Sequence, residues 1–111
     1  MVHIGLCKGR HDMKKNNGEI LDDFVWDDWV REPLNFQKHD GHVRKWIKEN
    51  PQLFKSDEPF MLYVTGLTPI MAAFLSVWIT ETGHSIPKDT VLVLMHYDRN
   101  TDRYVPQLFL W

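Results

Sequence analysis

"YVTGLTPIMAAFLSVW", residues 63–78, decides the fold. It opens as the tail of an apolar strand, turns at Thr65-Gly66-Leu67-Thr68, and runs on as a helix with no spare residue between. The strand reads back to Phe60. Thr68 is the expected N-cap, Pro69 suits the first helical position, and Gly83 lies just past the end of a helix over residues 69–82. Ile70, Met71, Phe74, Leu75, Val77, Trp78 and Ile79 cover more than one stripe of that helix, so it is expected to be buried on more than one side.

Working outward, "VHIGLC" reads as a first strand, bounded by "KGRHD". "KKNNG" is a turn or loop, rich in residues that tolerate positive φ. Residues 19–36 carry no clear period: Ile20, Leu21, Phe24, Val25 and Trp29 fit a short strand or an irregular helix, and the segment reads mostly as loop. "HDGHVRKWIKENP" predicts a helix capped by Asp40 and stopped at Asn50-Pro51. "TVLVLMHY" has the continuous apolar centre of a parallel strand covered on both faces. "DRNTDR" turns the chain into "YVPQLFLW", where Pro106 cannot donate to a ladder and so assigns an edge. The expected fold is one α/β domain over residues 1–111, with a mostly parallel sheet and a C-terminal antiparallel edge hairpin.

Composition narrows the function classes. Net charge is −2 and the pI near 6.3, without the broad basic face that duplex nucleic acid needs. A single cysteine, Cys7, permits no internal disulfide and points to a reducing compartment. Its expected role is a small buried core residue rather than an activated thiolate. The opening apolar stretch is too short for a secretory leader, and no apolar run is long enough to cross a membrane. A cytoplasmic location is the expectation.

Ligands of open parallel sheets sit outside the carboxyl ends of the strands. Three segments are expected there. The first strand delivers Lys8, Gly9, Arg10 and His11; the middle strand delivers Thr65, Gly66, Leu67 and Thr68; the third delivers His96, Tyr97, Asp98 and Arg99. A helix N-terminus offers unpaired N–H groups and the positive end of its dipole, here including the amide of Ile70. Arg10 has a planar fork suited to two phosphate oxygens, and the imidazoles of His11 and His96 are candidates to donate or accept a proton. These groups point to a small anionic ligand.

Other motifs are weaker. His39 and His42 share a helix face, but no third ligand accompanies them, so no metal or other cofactor is assigned. "LDDFVWDDW" carries enough carboxylates for Mg²⁺, yet a solvated acidic face over buried Phe24, Val25 and Trp29 accounts for it better. Five tryptophans are many for one core, and Trp26, Trp29 and Trp111 are candidates for an exposed contact or a base stack.

"KGRH" after the first strand, the "YVTGLTP" break and the closing "LVLMHYDRNTDRYVPQ" together resemble the small stand-alone ring nucleases and the CRISPR-associated Rossmann fold sensor domains. The resemblance implies a small Rossmann-like homodimer that binds a cyclic oligoadenylate. It also implies metal-independent cleavage of the ring in some members, by attack of a ribose 2′-OH on its own phosphate. Thr65, Gly66, Thr68 and the Ile70 amide would then hold a phosphate, Lys8 and Arg10 would stabilise charge on it, and His11 would protonate the leaving 5′-oxygen. Two alternatives remain: a phage-encoded protein that only sequesters the signal, and a protein-interaction module with no small ligand.

Overall fold

The computed structural model describes residues 1–65 and 67–111. Among them the chain forms β1 (Val2–Cys7), β2 (Phe24–Trp26), α1 (Phe36–Glu49), β3 (Phe60–Tyr63), α2 (Thr68–Glu81), β4 (Leu92–Asp98) and β5 (Arg103–Phe109), with a 3-10 turn at Pro51–Leu53. The sheet order is β2-β1-β3-β4-β5. β1 runs parallel to both β2 and β3, β3 runs parallel to β4, and β5 returns antiparallel at the edge. This is the α/β architecture that the sequence predicts, with Pro106 on the edge strand opposite Met95.

Some boundaries differ from the sequence reading. Asn35, not Asp40, caps α1: its side chain accepts from the Lys38 amide, and the helix begins five positions before Gly41. Leu67 occupies the N-cap position of α2, and Thr68 is already helical. The segment read as loop contains β2, whose three residues are all buried. Three residues give no period to detect, and an edge strand this short is held by pairing with β1 rather than by its own pattern.

Strand order explains the layering. From β1 the chain moves one way to β2, then returns past β1 to β3 and β4. Crossovers in opposite directions fall on opposite faces when both keep the same hand. Accordingly α1 and α2 pack together on one face, burying Ile4, Leu6, Phe60, Leu62, Leu92 and Leu94 against Val43, Ile47, Phe74 and Trp78. Buried Glu81 of α2 lies 4.0 Å from Arg44 of α1 and links the two helices.

Among the described residues the other face carries no helix. Residues 8–23, the connection from β1 to β2, cover part of it as a strap. Met13 and Leu21 pack on Phe24, Tyr63, Met95 and Tyr104. A Lys14–Ile20 bridge, a Lys15–Glu19 ion pair of 2.9 Å and Gly18 at φ 88° close the strap's tip. Asn16 fastens it to the far edge: its Nδ2 donates to the Tyr104 carbonyl (3.0 Å) and its Oδ1 accepts from the Tyr104 amide (2.8 Å). Beneath it, the Tyr63 hydroxyl and His3 Nδ1 are 2.8 Å apart.

Gly5 lets the strap and β2 close down. It lies in register with Phe24 on one side and Tyr63 on the other. A Cβ there would stand 2.4 Å from the Phe24 ring and 3.0 Å from Leu21. Gly5→Ala should therefore cost about 1–3 kcal/mol through overpacking, measured as a lower urea midpoint with an unchanged slope.

Burial, and secondarily the Lys15 ammonium and the chain's amino terminus, hold the His3 pKa below its ordinary 6.5. The unfolded chain thus takes up the proton first as pH falls. Stability should fall as pH drops from about 6.5 through the lowered folded-state value, and His3→Gln should flatten that part of the profile. Thermal melts between about pH 7 and pH 5 test this.

Candidate functional site at the carboxyl edge of the sheet

Because β1, β2, β3 and β4 are parallel, their carboxyl ends share one edge. In the strand order β2-β1-β3-β4 the chain reverses direction between β1 and β3, and such a reversal opens a crevice at that edge. An open cavity of about 600 Å³ lies beside it, between the ends of β1 and β2, lined by Lys8, Gly9 and Arg10 from the first and by Asp27, Asp28 and Trp29 from the second. Its volume falls within the ordinary range for small-molecule sites.

Backbone contacts fix the two walls. The Lys8 amide donates to the Trp26 carbonyl at 2.9 Å. Cys7 Sγ lies 3.5 Å from the Asp28 carbonyl, in position to donate to it. Asp28 Oδ1 accepts from the Trp29 amide at 2.8 Å, which sets the turn out of β2. The Trp29 ring is 64% exposed, with the Arg31 guanidinium 5.5 Å from its centroid. Trp26, by contrast, is buried. His42 stacks on it at 4.5 Å and donates through Nε2 to the Val25 carbonyl, 2.7 Å away. A carbonyl only accepts, so Nε2 carries the proton. His39 is buried, with Nε2 2.8 Å from the Pro33 carbonyl. The two histidines thus pack around Trp26, and among the described residues no group of three or more side chains is placed to hold a metal.

The start of α2 stands one strand over. Gly5 pairs with Tyr63, and two residues further along these parallel strands come Cys7 and Thr65. The α2 N-terminus has no side-chain cap and no acidic residue in its first turn. Its positive end is therefore uncompensated by the chain's own first turn. Thr65 Oγ1 is buried with no hydrogen-bond partner among the described residues.

The expected site residues divide as follows. Lys8, Gly9 and Arg10 share one cavity. His11 lines a second, with Tyr97, Asp102 and Arg103 of the β4–β5 hairpin, on the strap side. Thr65, Leu67 and Thr68 lie at the strand-to-helix break, and Ile70 is wholly buried in the core. Gly66 lies outside the described residues. His96 is exposed on β4 with Nε2 2.7 Å from Gln107 Oε1. Asp27 and Asp28 were not among the expected site residues; Trp29, expected either buried with Phe24 and Val25 or exposed as a base stack, is exposed at the cavity. The signal for them was the acidic-aromatic run itself, whose place beside Lys8 depends on β2 being a strand.

Comparisons with protein-family models, with curated proteins and with solved structures find no match to this chain. The fold and the edge cavity are thus what define it: an α/β protein with a Rossmann-like, mostly parallel sheet. Among the described residues no helix is long and apolar enough to cross a membrane.

Burial, and then the Asp28 carboxylate, push the Cys7 thiol pKa up. The thiolate is the reactive form. Cys7 should therefore react with a disulfide reagent at pH 8 far more slowly in the folded protein than in urea, and Asp28→Asn should narrow the difference.

Proposed function

We propose that this protein binds a small anionic nucleotide at the carboxyl edge of its sheet, and that the nucleotide is a cyclic oligoadenylate second messenger of prokaryotic antiviral signalling. One observation carries the reading. Lys8, Gly9 and Arg10, from the end of β1, line an open cavity at the carboxyl edge of the parallel strands, the edge where sheets of this kind receive their ligands. The uncapped start of α2, one strand away, adds a second anion-attracting element to the same edge. A ring ligand presents several phosphates, so two such elements suit it better than one. The homodimer implied by the resemblance would double them across a two-fold axis.

Cleavage and sequestration make different demands. Cleavage of a ring phosphodiester forms a bond from the 2′-oxygen to phosphorus and breaks the bond to the 5′-oxygen. The attacking hydroxyl loses a proton and the leaving oxygen gains one. Lys8 and Arg10 would stabilise the charge on phosphorus as it develops. The proton for the leaving oxygen needs a donor within reach, and His11 lines a different cavity from Lys8 and Arg10. That separation favours sequestration as the second reading.

Lys8→Ala and Arg10→Ala should each weaken binding of cyclic tetra-adenylate about tenfold, consistent with loss of a charge-assisted hydrogen bond, and should lower the salt dependence of binding. No thermal stabilisation of the wild type by cyclic tetra-adenylate or cyclic hexa-adenylate would refute the reading, since a ligand that binds only the folded state must stabilise it. Product analysis separates the two outcomes. Unchanged ring after long incubation means sequestration. A linear product ending in a 2′,3′-cyclic phosphate means cleavage, and His11→Ala should then slow turnover while leaving binding intact.

A further inference from the structure

The cavity at the end of β1 is not uniformly cationic. Lys8 and Arg10 face a wall that carries Asp27 and Asp28. Among the described residues none of these four side chains closes an ion pair. Opposite charges share one cavity and leave each other free. A site meant for phosphate alone gains nothing from carboxylates, which repel it. An ionised carboxylate only accepts hydrogen bonds, so a ligand group beside Asp27 or Asp28 must donate them. The ligand therefore carries an anion at one end and hydroxyl or amine donors at the other.

Trp29 supplies the third requirement. Its indole is exposed at the same cavity, and Arg31 braces it. Aromatic faces of this kind stack on bases. Anion, donor and flat ring together describe a nucleotide. The donor is assignable by position. In dinucleotide-binding α/β folds, an acidic residue roughly 20 residues beyond the first turn takes a ribose hydroxyl. Asp27 and Asp28 occupy that place, directly after β2 ends at Trp26. One oxygen of Asp28 is engaged by the Trp29 amide. The other remains available, as do both oxygens of Asp27, which makes no side-chain hydrogen bond among the described residues.

We infer that Asp27 and Asp28 accept a hydrogen bond from a ribose 2′-hydroxyl while Trp29 stacks on the attached base, so that the cavity selects ribonucleotides over 2′-deoxyribonucleotides. This rests on the nucleotide-binding reading above and adds to it a sugar specificity and three residues. In a 3′–5′-linked ring the 2′-hydroxyl is the free hydroxyl of each sugar, so it is the group such a wall would read.

The test is isothermal titration with cyclic tetra-adenylate and with the same ring built from 2′-deoxyadenosine. Circular dichroism checks that each variant is folded. The wild type should bind the ribose ring at least about tenfold more tightly, the effect of a hydrogen bond to a charged group. The double variant Asp27→Ala with Asp28→Ala, which removes both acceptors, should bring that ratio close to one without weakening binding of the deoxy ring. Trp29→Leu should weaken both rings alike, roughly tenfold. Equal binding of the two rings by the wild type, or a ratio untouched by the double variant, overturns the sugar specificity and leaves the nucleotide reading standing. Binding of neither ring by folded wild type overturns both.

Discussion

The pairing of β1 on both of its edges is the constraint on which the structure depends. Gly5 stands in register with Phe24 to one side and Tyr63 to the other. Both neighbours are parallel to β1, so each requires the chain to travel back along the sheet before pairing. The journey to β3 takes a helix and builds the main core. The journey to β2 takes none, and its residues instead become the strap on the open face. The lack of a side chain at Gly5 permits the close approach of the Phe24 ring that seals the strap at its inner end.

That division gives the two faces different chemistry. The helical face is packed by aliphatic and aromatic groups, among them Phe60, Phe74 and Trp78, all wholly buried. The strapped face is polar-aromatic. His3 meets Tyr63, Tyr63 meets Tyr104 edge-on at 4.8 Å, and Tyr97 donates its hydroxyl to Asp102. Burial raises the pKa of both Tyr63 and Tyr104 and lowers that of His3, so all three favour their neutral forms. Neutral rings suit a layer covered by a strap rather than by a helix. The Asn16 clamp on Tyr104 also occupies backbone groups of an edge strand that would otherwise be free to pair with another chain.

The pairing of β2 beside β1 also makes the cavity. The short turn Asp27-Asp28-Trp29 leaves the end of β2 next to the end of β1 and becomes the wall opposite Lys8 and Arg10. Charges far apart in the sequence are thereby placed across one space. Among the described residues these charges close no ion pair, which separates this cavity from an ordinary surface ion-pair network.

Much of this was legible in the residues. The strand from Phe60, the apolar run of α2, the β4 strand and Pro106 at the edge follow from local rules about apolar periods and missing donors, and the folded chain keeps them, although Leu67 rather than Thr68 takes the N-cap position of α2. The shared edge for Lys8, Arg10 and the start of α2 follows from a parallel sheet. What only the tertiary structure decided is β2, the strap, and the company that each site residue keeps. Phe24–Trp26 has too few residues to announce a strand, and its pairing energy comes from β1. His11, three positions from Lys8, turns toward the far hairpin because the strap leaves the sheet edge there. Trp26 is buried and Trp29 exposed although both lie in one acidic-aromatic run, because burial is set by which elements pack over a residue, and that information is not local.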